Sequence, residues 1–215
     1  MRLIEQNLML KHAWVNEQFI SIQGEGPSQG RLAWFYRLNK CNLRCKFCDS
    51  AYTWESSKIE QAIIPQACKA ALVVITGGEP MIAINRDATF WLIQAVDKYW
   101  PIDNVNIEIE TNGTMLPFDL NHSRLTYIVS PKFRDSGKRI DIGLYKINLK
   151  RYVALGHKAM FKFVVKSLKD IEFIKSLAEE LGIRNNRIWI MPQGLMPSGV
   201  VRISKLVMNK VIENG

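Results

Sequence analysis

Residues 71–80 read ALVVITGGEP, a short unbroken apolar run that stops abruptly at Gly77 and Gly78. A strand with one wet face alternates apolar and polar side chains, whereas a run without alternation, ended by glycines, suits a strand buried on both faces. Such strands belong to parallel sheets covered by helices, so this stretch predicts an α/β chain. The flanking sequence repeats the theme. Upstream, residues 32–38 (LAWFYRL) form a strand candidate whose one charged residue is Arg37. Downstream, Asn85 is placed to cap a helix with Ala88, Trp91, Leu92, Ala95, Val96 and Tyr99 on one stripe, closed by Pro101. Val105, Ile107 and Ile109 then alternate with Asn106, Glu108 and Glu110, a strand with one apolar and one polar face that ends at Thr111-Asn112-Gly113.

Residues 125–129 (LTYIV), 160–166 (MFKFVVK) and 187–191 (RIWIM) supply three more strands. A helix is expected over residues 142–154 and another over residues 203–212. Between them, Ser167 and Asp170 read as a capping box opening a helix that carries Ile171, Ile174, Leu177, Ala178 and Leu181 and ends at Gly182. Six strands alternating with helices imply right-handed crossovers and an incomplete (β/α)6 barrel. Residues 54–71 leave space for only a short first crossover, so its helix is expected to be reduced or replaced by a loop.

Three of the four cysteines, Cys41, Cys45 and Cys48, lie in the run CNLRCKFCDS with C-x3-C-x2-C spacing. Three clustered thiolates can hold three irons of a 4Fe-4S cluster and leave the fourth iron open to a small molecule. A structural zinc site would need a fourth ligand from Cys68, His12, His122 or His157, none at zinc-finger spacing. Cys68, within QACKAALVV, reads as a small buried hydrophobe. The cysteine loop, GGEP, TNGT, SPK and PQG each follow a proposed strand, and the carboxyl edge of a parallel sheet is where ligands bind. Gln23-Gly24-Glu25-Gly26-Pro27 forms a loop that a polar ligand can approach closely. Residues 1–13, where Leu3, Leu8 and Leu10 could form a short edge segment, carry no functional signal, and residues 195–215 hold no readable motif.

With 215 residues, 47% of them hydrophobic, the chain has material for one sizeable core, and residues 1–215 are expected to form a single domain. No apolar run approaches a membrane span, and Glu5 and Gln6 interrupt any signal-peptide core, so a cytoplasmic protein is expected. The net charge of +9 raises nucleic acid as a partner. Yet acidic residues punctuate even the densest basic stretch, from Lys132, Arg134, Lys138 and Arg139 to Lys146, Lys150 and Arg151, and no aromatic platform interleaves it. A solvated basic face that attracts an acidic electron donor fits better, and no nucleic acid is expected.

The C-x3-C-x2-C run resembles the signature of the radical S-adenosylmethionine enzymes. SIQGEGPSQGR, CDSAYTW, TGGEP, ETNGT and SPK, in that order, resemble the 7-carboxy-7-deazaguanine synthase family from about Phe19 to Gly194. The resemblance implies a single radical S-adenosylmethionine domain with a partial barrel, a 4Fe-4S cluster on Cys41, Cys45 and Cys48, and S-adenosylmethionine split into a 5'-deoxyadenosyl radical. It implies cofactor contacts at Phe47, Asp49, Gly77, Gly78, Glu79, Ser130, Pro131, Lys132, Met191, Pro192, Gln193 and Gly194. The bare backbone at Gly77 and Gly78 would let the cofactor approach, and Lys132 would attract its carboxylate. The implied substrate, 6-carboxy-5,6,7,8-tetrahydropterin, would contact Ile22, Gln23, Gly24, Arg37 and Thr76, and lose ammonium in a ring contraction to 7-carboxy-7-deazaguanine, on a queuosine-type pathway. Ser50 stands where many relatives carry a threonine that looks like a magnesium ligand, and it keeps the hydroxyl oxygen that Mg2+ prefers. A flavodoxin-type electron donor and a homodimer are further implications.

Alternatives stand beside several of these readings. Arg37 is also a candidate for a structural ion pair, Gly77-Gly78 for a plain strand-ending turn, and Ser50 for a helix cap or turn hydroxyl. For the whole chain the rivals are another radical enzyme, such as a glycyl-radical activase, and a basic metal-stabilised nucleic-acid-binding module.

Overall fold

The computed structural model describes residues 13–64, 70–100, 105–134, 136–193 and 197–214. Cys68, Pro101, Gly194 and the leucines at 3, 8 and 10 lie outside them.

A seven-stranded sheet organises the described residues. Its strands are β2 (Glu17–Ile22), β3 (Leu32–Arg37), β5 (Leu72–Thr76), β6 (Asn106–Thr111), β7 (Leu125–Val129), β8 (Ala159–Val165) and β9 (Ile188–Pro192), hydrogen-bonded in that order. From β3 to β9 every pairing is parallel; β2 pairs with β3 antiparallel, Glu17 opposite Arg37 and Ile22 opposite Leu32. All six expected strands are present. The hairpin partner β2, which carries Phe19, Ile20 and Ile22 into the glycine loop, is not among the strands expected from sequence. A second, two-stranded sheet pairs β1 (Trp14–Val15) with β4 (Glu60–Gln61).

Among the described residues four α-helices follow strands: α1 (Ala83–Tyr99), α2 (Ile142–Ala154), α3 (Leu168–Leu181) and α4 (Pro197–Asn214). Among the described residues between β3 and β5 there is a 3-10 turn at Ala51–Thr53 and no α-helix; residues 65–69 of the crossover expected to be reduced lie outside them. The capping box at Ser167 and Asp170 and a left-handed Gly182 bound α3, where Ile174, Leu177, Ala178 and Leu181 are buried. α4 starts six residues before the expected helix, at Pro197 rather than 203.

Two expectations for α1 are corrected. Its N-cap is Ile82, with no side-chain cap; Asn85 lies inside the helix and donates from Nδ2 to the carbonyls of Asn39 (2.6 Å), Glu79 (2.9 Å) and Lys40 (3.3 Å). An amide satisfied by three carbonyls of neighbouring loops is worth more there than as a cap on solvent-facing N–H groups. The apolar stripe holds except at its end: Leu92, Ala95 and Val96 are buried and Ala88 and Trp91 pack against the core, joined by Thr89 and Ile93, while Tyr99 is 55% exposed.

The sheet's two faces separate by side-chain alternation. Val73, Ile75, Ile107, Ile109, Tyr127, Val129, Phe161, Phe163 and Val165 join the helices in the main core. The opposite face begins apolar, with Ala33, Phe35, Leu72 and Val74, and becomes polar toward the carboxyl edge, where Thr76, Glu108, Glu110, Ser130 and Lys162 follow the same alternation. The polar face of β6 is therefore interior: Glu108 is 4% exposed. No helix among the described residues is long and apolar enough to cross a membrane.

Candidate active site

A cavity of about 530 Å³ opens over the carboxyl edge of the sheet. Cys41, Cys45 and Cys48 line it as free thiols, together with Phe47, Asp49 and Ser50 of the same loop. Gly77, Gly78 and Glu79 after β5, Ser130 and Lys132 after β7, and Met191, Pro192 and Gln193 at the end of β9 form other walls. Ile22, Gln23 and Gly24, with Arg37 at the end of β3 and Thr76 at the end of β5, complete the lining. Of the described residues named from sequence, Pro131 lies off this lining, buried beside an adjoining smaller pocket.

The cysteine loop is held by its neighbours. Leu43 N donates to Cys41 Sγ (3.4 Å), and Cys48 Sγ lies 3.7 Å from Ser50 Oγ. Asn112 Nδ2 donates to Asn42 Oδ1 (2.9 Å), and Asn42 Nδ2 donates to Thr114 Oγ1 (2.7 Å), which ties the loop to the turn after β6. Arg44 N donates to Ser136 O (2.8 Å), and Gly137, at φ +68°, packs so closely that a Cβ would sit 1.8 Å from Arg44 O. Gly137→Ala is thus expected to add about 1–3 kcal/mol of backbone strain and to push this loop off the cysteine spacer. Iron and sulfide content after reconstitution, measured beside the thermal midpoint, would show it; full cluster loading at an unchanged midpoint would contradict it.

Glu79 is 1% exposed and serves as a tie between strand ends, accepting from Thr111 Oγ1 (2.6 Å), Asn112 N (2.7 Å) and Met81 N (3.0 Å). Burial raises its carboxyl pKa against the pull of these donors. The glycines before it have a structural cause beside the expected approach of a cofactor. A Cβ on Gly77 would fall 1.9 Å from Arg37 Cγ, and one on Gly78 2.1 Å from Lys40 O, both at positive φ. Contact with β3 and the start of the cysteine loop demands glycine here, whatever a ligand requires.

Arg37 makes an ion pair, with Nε 2.8 Å from Glu17 Oε1, which also accepts from Tyr52 Oη (2.6 Å). Nε is thereby used, while the guanidinium still lines the cavity, 5.7 Å from the Phe19 ring. Lys132 Nζ donates to Ser130 Oγ (2.5 Å), and burial with the nearby Lys162 charge lowers its pKa.

Glu25, Glu110 and Lys162 line the cavity and were not singled out from the sequence. Glu110 accepts from Thr76 Oγ1 (2.6 Å) and Gln23 Nε2 (3.1 Å), and Lys162 is ion-paired to Glu25. Burial pushes the Glu110 pKa up, but the Lys162 charge and these hydrogen bonds outweigh it and leave it lowered. For Lys162, burial is outweighed by Glu110 and Glu25, and its pKa is raised. A signal was available for Lys162, a charged residue within the apolar run MFKFVV, the same pattern that drew attention to Arg37, whereas Glu110 lay on an alternating strand and read as part of a polar face.

The donor set fits an iron-sulfur cluster. Three thiols from one loop share a cavity wall, with room beside them for an organic cofactor, and burial pushes the Cys41 thiol up to about 11, a cost that bound iron offsets by replacing the proton.

No family model matches the chain. It is 35% identical to a 7-carboxy-7-deazaguanine synthase of Hyperthermus butylicus, over 83% of this chain and 76% of that protein. A 7-carboxy-7-deazaguanine synthase of Pyrobaculum aerophilum is 33% identical, over 85% of this chain and 80% of its own length. The crystal structure of QueE from Escherichia coli superposes with a TM-score of 0.65 at 24% identity, over 97% of this chain and 94% of that one, a likeness of fold. With one-third identity across most of both chains, the protein belongs to the 7-carboxy-7-deazaguanine synthase family.

Proposed function

We propose that this chain contracts the ring of 6-carboxy-5,6,7,8-tetrahydropterin to 7-carboxy-7-deazaguanine with release of ammonium, in 7-deazapurine biosynthesis. The protein is an enzyme of the radical S-adenosylmethionine type, and membership of its family sets aside both the glycyl-radical activase and the nucleic-acid module. The observation that carries the reading is the gathering of the three thiols, Arg37 and the Gln23-Gly24 loop around one cavity. When bound, the cluster and S-adenosylmethionine supply the one-electron chemistry that begins hydrogen abstraction.

The chain's own residues bind and orient. Cys41, Cys45 and Cys48 would ligate iron. Phe47, Asp49, Gly77, Gly78, Glu79, Ser130, Pro131, Lys132, Met191, Pro192, Gln193 and Gly194 are assigned to the S-adenosylmethionine pocket, where Lys132 offers a cation to its carboxylate. The Arg37 fork, with Nε already turned to Glu17, presents its remaining N–H groups to the substrate carboxylate. Ile22, Gln23, Gly24 and Thr76 take the pterin. Glu110, ionised beside Lys162, suits the N–H edge of its aminopyrimidinone ring. Substrate, a thiol-rich wall and these anchors in one cavity amount to catalysis by orientation. Anaerobic assay with mass detection of product and ammonium in equal amounts tests the reading; reductive cofactor cleavage without pterin conversion would refute it.

Several finer readings belong to the same proposal. Six parallel strands in chain order, with Glu25 after β2 reaching Lys162 on β8, support an incomplete (β/α)6 barrel, and residues 1–215 are taken as one domain. A cytoplasmic homodimer reduced by a flavodoxin-type donor completes it, the donor favoured by the net charge of +9. Magnesium at Ser50 is supported by a hydroxyl that makes no cap: Ser50 stands at the N-cap of the 3-10 turn, yet its carbonyl accepts the Thr53 bonds and its Oγ meets, among the described residues, only the Cys48 thiol, which bound iron would deprotonate. Turnover is expected to rise with added Mg2+, Ser50→Ala to lose that response and Ser50→Thr to keep it. Turnover indifferent to chelation of divalent metal, with the cluster intact, would remove magnesium from the proposal.

A further inference from the structure

The loop joining β2 to β3 lies at the edge of the sheet, yet its side chains reach inward across the interior face. Gln23 Nε2 donates to Glu110 Oε1 on β6 (3.1 Å), and Ser28 Oγ donates to Glu108 Oε1 on the same strand. Glu25 reaches farther, to Lys162 on β8, and its own amide is held by Gln23 Oε1 (3.1 Å). In the sheet order β8 stands five strands from β2, so this pair spans the interior from one side to the other. The Lys162 side chain is 10% exposed and that of Glu25 27%. A partly desolvated ion pair bridging elements 137 residues apart has a larger geometric effect than a surface pair.

We propose that the Glu25–Lys162 ion pair is a positioning device for the substrate: it clamps the Gln23-Gly24-Glu25 segment over the sheet interior and so fixes the depth at which the pterin ring sits. The inference rests on the pterin reading of this cavity. Lys162 acts through Glu25 and through Gln23, whose amide is bonded both to the clamped segment and to Glu110. The Glu110 carboxylate beside Lys162 keeps the ammonium charged, which favours the pair. The Gln23–Glu110 and Ser28–Glu108 hydrogen bonds hold the two sides of the loop, and the Glu25–Lys162 pair holds the tip between them, so loss of that charge would free the tip. A Cβ placed on Gly24 or Gly30 would meet no atom within 4 Å, so no packing at these two positions would replace the tether.

The test compares Glu25→Gln, Lys162→Met and the exchanged pair Glu25→Lys with Lys162→Glu, all in cluster-loaded protein. Each single substitution is expected to raise KM for the tetrahydropterin, and the dissociation constant of fluorescent 6-carboxypterin, roughly tenfold to a hundredfold, with kcat falling by less than KM rises. The exchanged pair should recover most of the loss. Hydrogen exchange over residues 23–31 should speed up in the single variants without any ligand, and slow again in the exchanged pair. That readout is independent of substrate identity. Faster exchange with no effect on any pterin would count against the pterin reading and leave the clamp standing. Unchanged exchange and unchanged KM would overturn the clamp. So would a kcat loss that the exchanged pair fails to restore, since Lys162 would then act on the reacting molecule itself.

Discussion

Cys41→Ala is expected to yield a folded protein with no stable cluster and no reductive cleavage of S-adenosylmethionine, and Cys45→Ala and Cys48→Ala the same. The fold should survive because the main core is built from the strands and helices and contains none of the three cysteines. With two thiolates left, a cluster that already has one iron without a protein ligand would have two, and it would be lost to solvent or oxidation. Iron and sulfide analysis with the visible absorption of anaerobic protein reads the outcome, and Cys68→Ala is the control that should keep both. Should Cys41→Ala retain its iron while Cys68→Ala loses it, the ligand assignment is wrong.

Arg37→Ala should weaken binding of the carboxylated pterin by about 1.5–3 kcal/mol, roughly tenfold to a hundredfold, the worth of hydrogen bonds to a charged group. Binding of S-adenosylmethionine should change far less. The Glu17 carboxylate, 30% exposed in its side chain, can turn to water when its partner is gone, so the loss is one of recognition more than of folding. Titration with carboxylated and carboxyl-free pterins separates the two. Equal losses for both pterins, or for pterin and cofactor, would assign Arg37 to the ion pair alone.

The strands and most helices were legible because alternation and unbroken apolar runs report burial directly, as in residues 72–76 and 105–109. The helix over residues 142–154 matched at both ends. What escaped was whatever depends on which face is inside. Glu108 and Glu110 read as a polar face, and only the distant β2–β3 loop, through Gln23 and Ser28, makes that face interior. Asn85 misled because a polar residue before an apolar stripe resembles a cap, while its three carbonyl partners come from segments more than forty residues earlier and six earlier. At Gly77 and Gly78 the motif was found from the resemblance, but its cause, the proximity of Arg37 and Lys40, is tertiary.

The order of strands in the sheet is the order of the chain, and that bears on how the protein is made. As the polypeptide leaves the ribosome, each parallel strand finds its partner already in place, and the sheet can grow from the β3 side outward. The thiols of residues 41–48 emerge early, while Met191, Pro192 and Gln193, which close the far wall, emerge last among the lining residues. At roughly 5–20 residues per second, on the order of ten seconds separate the two. During that interval the nascent cysteines are accessible to iron carriers and oxidants alike, so cluster delivery during translation would meet an open site, and delivery after release would have to pass the finished rim.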